Sequence, residues 1–336
     1  MPPQVAGLIM TRNYKDFLST AWRDHLQPRA VDAPTVVSTF AGCGGSSLGY
    51  SMAGFRELLA VEWEQNAVDN FRLNFPEVPV YHGDIKALSV EDCLARIGLR
   101  PGELDVLDGS PPCQGFSTAG SRKMEDPRNG LFREFVRLLR GLQPRVFVME
   151  NVSGMVKGKM RLIFVDILRE LKSCGYRSNA RLLNAQYFSV PQSRQRIIFV
   201  GVREDVIGDP SFPKPEWVIG VRSVLDMPKE TTLRRGWGKV QIDGVKNAQF
   251  QNDYRSLNLP CCTLEKTRPP ILRINGIERE LTLEESSIIG SFPSEWRWGP
   301  RAYQRIGNSV PPLFMRAIAR NLRTNILDLT QRSSGE

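Results

Sequence analysis

Between Pro34 and Gly201, short apolar runs alternate with stretches whose apolar residues recur three and four positions apart. The runs predict strands at Thr35–Phe40, Glu57–Val61, Val78–Tyr81, Leu104–Leu107, Val146–Met149 and Arg196–Val200. The periodic stretches predict helices at Asn66–Asn74, Leu131–Leu142 and Met160–Cys174. Such alternation is the pattern of an α/β domain with a doubly wound, largely parallel sheet. After Gly201 the rhythm stops: Pro210, Pro213, Pro215 and Pro228 interrupt the chain, and glycines and short polar runs continue to about Glu278. Helices are expected again at Thr282–Ile289 and Leu313–Leu327, and only one, Asn13–His25, precedes the first strand. The expected division is an N-terminal extension (1–33), the main α/β domain (34–201), a small irregular domain (202–278) and a segment returning to the main domain (279–336). No internal repeat is apparent.

Composition narrows the chemistry. Forty-five Lys and Arg against 36 Asp and Glu give a net charge of +9, which favours a polyanionic partner. The first residues lack a secretory signal and no apolar run approaches about 18 residues, so a cytoplasmic protein without membrane contact is expected. Six cysteines form no CxxC pair and there are two histidines, leaving zinc, dithiol and histidine-based schemes short of parts. No metal is expected, and cysteine chemistry would come from a lone thiolate.

The run from Thr35 through Phe40, Gly42, Gly44 and Gly45 to Gly49 is a strand entering a glycine-rich turn and a helix, where a ligand can approach backbone N–H groups. Its spacing is not GxGxxG, so an uncharged or zwitterionic nucleotide-like ligand suits it better than a pyrophosphate. Glu62 and Trp63 end the next strand, where a carboxylate can accept from ribose hydroxyls and an indole can stack on adenine. Asp84 and Ile85 follow the third strand and could meet the exocyclic amine and the ring. Singly, these carboxylates read more readily as helix caps or loop carboxylates; together they mark the carboxyl edge of the sheet.

Past the fourth strand, Asp105-Val-Leu-Asp-Gly-Ser-Pro-Pro-Cys113 holds a cysteine behind two stiffening prolines. A lone cysteine is usually a small core residue; its companions change the reading. Pro112-Cys113-Gln114, Glu150-Asn151-Val152, the run from Gln192 through Arg194 to Arg196, the turn Phe40 to Gly45 and Gly307-Asn-Ser-Val-Pro-Pro312 occur in this order. Together they resemble the DNA (cytosine-5) methyltransferases of bacterial and phage type. The resemblance implies a Rossmann-like sheet dependent on S-adenosylmethionine, with a target recognition domain inserted where the irregular segment 202–278 lies. It makes Cys113 the nucleophile at carbon 6 of cytosine, Glu150 the carboxyl at N3 and Arg196 the cation at O2, with Arg194 ordering the site. Asn308 and Val310 match positions that touch the cofactor's amino-acid moiety.

A stacked base cannot reach a thiolate, so the cytosine must be flipped out of the duplex. The polar segment 115–130, with Arg122, Lys123 and Arg128, suits a loop that closes over DNA. Between Trp296 and Thr324 there are six arginines and no acid, whereas residues 205–278 hold eleven Lys and Arg against nine Asp and Glu. The small domain would therefore read bases with placed side chains, the candidates being Arg234, Arg235, Lys239, Gln249, Gln251 and Asn252. The expected partners are duplex DNA and, functionally, a cognate restriction endonuclease, the enzyme acting as a monomer. One departure stands out: Ser38 occupies a position, two before Phe40, where family members often carry an acid. Three alternatives stay open: the same reaction on tRNA, a silent DNA-binding relative, and a nicotinamide oxidoreductase, the last disfavoured by the glycine spacing.

Overall fold

The structure is a computed structural model that describes residues 14–112, 130–156, 160–235 and 254–329. Helix α1 (Tyr14–His25) precedes an alternating series: β1 (Thr35–Thr39), α2 (Gly45–Met52), β2 (Arg56–Glu62), α3 (Gln65–Asn74), β3 (Val80–His82), α4 (Val90–Ile97), β4 (Val106–Gly109), α5 (Gly130–Leu142), β5 (Val146–Val152), α6 (Met160–Lys172), β6 (Tyr176–Asn184) and β7 (Gln195–Arg203). The seven strands form one sheet in the order β3-β2-β1-β4-β5-β7-β6. Strands β1 to β5 pair in parallel, while β7 runs antiparallel to both neighbours. The expected doubly wound α/β class is therefore observed.

Side chains alternate across this sheet and both faces are covered. Val36, Val106, Val148 and Val200 pack with Tyr14 of α1, Tyr50 of α2 and Leu313 from the end of the chain. Val37, Leu107, Phe147 and Phe199 pack with Cys93, Phe135, Leu139 and Leu171 from α4, α5 and α6. Each such fully buried side chain contributes roughly 1.5–3 kcal/mol, so the two layers fix the strand register.

All six expected strands occur, and the sequence rhythm overlooked a seventh, β6, whose residues alternate between buried and exposed. It lies at the edge with β7 as its one neighbour, so it carries polar residues where an interior strand would be apolar. Helix α4 was also not anticipated, although Ser89 caps its start (Asp92 N to Ser89 Oγ, 3.0 Å) and Gly98 ends it with φ 66°. Residues 14–25 are not a detached extension: Tyr14 and Leu18 belong to the main core, and Trp22 packs with Phe75 and Trp296.

The segment after β7 contains a four-stranded antiparallel sheet in the order β11-β10-β8-β9, built from β8 (Thr232–Arg234), β9 (Arg255–Ser256), β10 (Ile271–Ile274) and β11 (Ile277–Glu280). Asn275 and Gly276, both at positive φ (50° and 84°), make the two-residue hairpin turn that Asn-Gly favours. Strand β11 runs across the expected domain limit at 278. Helix α7 (Leu283–Ile289) begins with a capping box between Thr282 and Glu285, worth about 1 kcal/mol. A further helix, α8 (Ala302–Asn308), was not anticipated, and α9 (Pro312–Leu322) gives way to a π-helical turn at Arg323–Leu327. Helix α9 lies directly on α2: a Cβ at Gly49 would come 2.6 Å from the Pro312 carbonyl oxygen. Among the described residues, no helix is long and apolar enough to cross a membrane.

Candidate active site

Strand β1 ends at Thr39, and Phe40 after it, with a φ of 55° unusual for a side-chain-bearing residue, turns the chain out of the sheet. Gly44 (φ 96°) caps α2, and a Cβ there would lie 2.6 Å from the Phe75 ring. A Cβ on Gly45 would strike Ser309 Oγ and the Val310 carbonyl, so this glycine lets the turn lie against the segment following α8. Gly42 (φ 58°) has nothing within 4 Å of its would-be Cβ, leaving that backbone open to a ligand.

Glu62, 8 % exposed at the end of β2, ties this turn to the next loop. Its Oε2 accepts from Gly42 N (2.9 Å) and its Oε1 from Trp63 N (2.9 Å) and Glu64 N (2.8 Å). The Trp63 indole beside it is 73 % exposed, an open aromatic face at the sheet edge. Asp84 accepts from Lys86 N (3.0 Å), the capping role open to it from the sequence. Ile85 is 4 % exposed and packs in the core beside Leu88. Asn308, the exposed last residue of α8, and buried Val310 stand next to the glycine turn. The open turn backbone, a carboxylate already oriented and an exposed indole fit an adenosyl cofactor.

A contact not foreseen from sequence joins these pieces. Arg305 of α8, 4 % exposed, pairs with Glu64 at the start of α3, one contact being 2.7 Å and a second running from Nη2 to Oε1. The guanidinium holds the Glu64 carboxyl below its ordinary pKa. The Arg305 carbonyl also accepts from the Cys43 thiol of the glycine turn at 3.9 Å.

On the other half of the sheet edge, Glu150 at the end of β5 is paired with Arg196 at the start of β7, with Nε to Oε1 at 2.6 Å. In the antiparallel register Glu150 faces Ile198 and Arg196 faces Val152, so the pair bridges the two strands diagonally. Asn151 donates from Nδ2 to the Pro111 carbonyl (2.9 Å), fixing the end of β4 two residues before Cys113. Cys113 itself lies outside the described residues. Arg194 does not face this edge: it is buried, donating to the carbonyls of Leu264 (3.2 Å) and Gly307 (2.9 Å). Burial and the neighbouring Arg196 lower its pKa to about 9. Arg194 thereby ties the arginine run to the segment between β9 and β10 and to the end of α8.

The nucleic-acid candidates divide. Arg122, Lys123, Arg128, Lys239, Gln249, Gln251 and Asn252 lie outside the described residues. Arg234 donates to Tyr254 Oη (3.2 Å) and pairs with Glu278 (2.9 Å) within the small sheet. Arg235, the next residue, is exposed. The arginines between 296 and 324 are not one basic face, since Arg305 is buried, Arg316 lies over the Phe17 ring at 5.0 Å and Arg323 donates to the Ala53 carbonyl. No group of residues able to hold a metal ion occurs among the described residues.

A C-5 cytosine-specific DNA methylase model matches residues 35–258. The chain belongs to that family: it is a DNA (cytosine-5) methyltransferase, an enzyme that methylates cytosine in DNA. It is 34 % identical over 321 residues to the Type II methyltransferase M1.HphI of Haemophilus parahaemolyticus, covering 85 % of each chain. It is 28 % identical over 326 residues to the Type II methyltransferase M.NgoPII of Neisseria gonorrhoeae, covering 84 % of this chain and 94 % of the relative. Among solved structures it shares the fold of a DNA modification methyltransferase from an E. coli prophage, with TM-score 0.69 and 24 % identity over 87 % of this chain and 99 % of that one. It also shares the fold of Spodoptera frugiperda DNMT2, with TM-score 0.62 and 19 % identity over 84 % and 98 %.

Proposed function

We propose that the enzyme methylates carbon 5 of a cytosine flipped out of a specific short duplex sequence, through a covalent adduct with Cys113. The observation that carries this reading is the Glu150–Arg196 pair at the sheet edge, 2.6 Å apart, beside the Pro111 carbonyl that Asn151 holds. A cytosine entering there exchanges the carboxylate–guanidinium contact for Glu150 at N3 and Arg196 at O2. The Cys113 thiolate adds to carbon 6, and the electron pair displaced from the 5,6 double bond makes carbon 5 nucleophilic. Glu150, taking a proton from water as the cytosine displaces Arg196, donates it to N3 and takes it back when the double bond is restored, while Arg196 stabilises charge on O2. The Gly42 turn, Glu62, Trp63 and Asn308 would hold S-adenosylmethionine, which would supply an electrophilic methyl group. Loss of the carbon 5 proton to a base then restores the double bond and expels the thiolate.

In this reading the strands and loops of 202–278 form the target recognition domain, with Arg235 at its exposed side. The names of M1.HphI and M.NgoPII support a restriction-modification role, in which the enzyme works as a monomer alongside a cognate endonuclease. The test is covalent trapping on a duplex in which 5-fluorocytosine replaces the target, because a fluorine at carbon 5 cannot leave as a proton. The enzyme with cofactor should give a denaturation-resistant complex that Cys113→Ala does not form. Trapping on tRNA but not on duplex DNA would overturn the substrate, and no adduct on either would overturn the covalent mechanism.

A further inference from the structure

Beneath the glycine turn lies a group of buried polar side chains that the reaction as described does not use. In the β1–β4 pairing Ser38 stands opposite Asp108, and in the β1–β2 pairing it stands opposite Ala60. Ser38 and Asp108 are 0 % and 2 % exposed, and the Asp108 carboxyl accepts from the hydroxyl of Tyr50, itself fully buried on α2, at 3.3 Å. The Asp108 carbonyl accepts from the Thr39 hydroxyl at 2.9 Å. Next to it, Ser47 of α2 donates to Glu57 Oε1 at 2.9 Å, while Glu57 Oε2 and Ser38 Oγ are enclosed without a hydrogen bond of good geometry. A buried acid in the middle of a strand is costly unless its contacts repay it. Asp108, on the strand that leads to Cys113, has such contacts to the helix that follows the cofactor turn and to β1, which enters that turn.

We propose that Asp108 is a positioning residue that anchors the cofactor turn to the nucleophile strand through the Tyr50 hydroxyl, and that a carboxyl at its register partner Ser38 on β1 could take its place. The two positions are direct register partners on one face of the sheet, so a carboxyl moved from one to the other occupies the same layer under α2. The Tyr50 hydroxyl donates the hydrogen bond of that anchor. Burial and the nearby Glu57 and Glu150 charges hold the Asp108 carboxyl well above the ordinary carboxylate range. In that range it is a neutral group able to serve an interior helix contact without a buried charge. The inference rests on the proposed methyl-transfer site, and binding of the cofactor tests it separately from turnover.

The experiment measures equilibrium affinity for S-adenosylmethionine and thermal unfolding in the full chain, with methyl transfer to duplex DNA assayed in parallel. Asp108→Ser should weaken cofactor binding by about tenfold, and adding Ser38→Asp in the same chain should restore it to within about threefold of the parent. Tyr50→Phe removes only the hydroxyl and should weaken binding by about threefold or more, which decides the matter if Asp108→Ser does not fold. A lowered unfolding temperature with unchanged affinity, a double variant no better than Asp108→Ser, or a silent Tyr50→Phe would each overturn the inference. A parent enzyme that binds the cofactor but methylates no DNA would instead overturn the proposed reaction, and the affinities would still decide the role of Asp108.

Discussion

Replacing Arg305 by Met tests whether the Arg305–Glu64 contact organises the cofactor side of the site. Methionine keeps most of the apolar stem while removing both contacts to Glu64. Breaking a buried ion pair by deleting one partner costs roughly 3–5 kcal/mol when the survivor stays buried. Here the Glu64 side chain is 33 % exposed and can rehydrate, which lowers the expected loss to about 1–3 kcal/mol. The loop carrying Glu62 and Trp63 is then free at one end, and the KM for S-adenosylmethionine should rise by at least about threefold with a smaller change in kcat. The pH dependence has a defined sign. Arg305 lowers the folded-state pKa of Glu64 below its ordinary 4.5, so the pair's contribution is fully present above that value and is lost as pH falls through the lower folded-state pKa. Urea unfolding at about pH 7 and about pH 3 should therefore show a stability difference between parent and variant that shrinks in acid. A loss under about 0.5 kcal/mol at neutral pH, with KM unchanged, would refute the reasoning.

Glu57 should behave in the opposite sense. Burial raises its carboxyl to about 7, so rising pH between 4.5 and 7 strips the proton from the unfolded chain first and weakens the fold. Glu57→Gln should leave stability unchanged at about pH 4 and raise it by on the order of 2 kcal/mol at about pH 8, as read by denaturant titration; equal effects at both would show that the group is not held protonated. Asn151→Ala removes the hydrogen bond to Pro111 and should lower kcat by about tenfold while cofactor affinity stays within about twofold, measured by steady-state kinetics and calorimetry. A fall in cofactor affinity of the same size as the fall in kcat would place Asn151 on the cofactor side.

The strands that are buried on both faces were legible because their apolar runs have no other use, and so were the glycine turn and the residues Glu62, Glu150 and Arg196 at the strand ends. Strand β6 was not, because an edge position tolerates the polar sequence Arg177, Asn179 and Arg181. The roles of Arg194, Arg234 and Arg305 were hidden for a different reason. An arginine that packs internally and one that meets phosphate look alike in sequence, and only partners 20 to 241 positions away separate them. Asp108 carried a visible signal, an acid inside the apolar run Val106–Gly109, but its meaning depends on Ser38 and Tyr50 lying beside it in space.

The central claim is methyl transfer to carbon 5 of cytosine by way of Cys113, and bisulfite sequencing of DNA from a methylation-free bacterial host expressing the protein tests it most directly. The account predicts bisulfite-resistant cytosines confined to one short sequence, absent when the host expresses soluble Cys113→Ala. An unmodified genome despite soluble parent protein, or the same protected cytosines with Cys113→Ala, would contradict it.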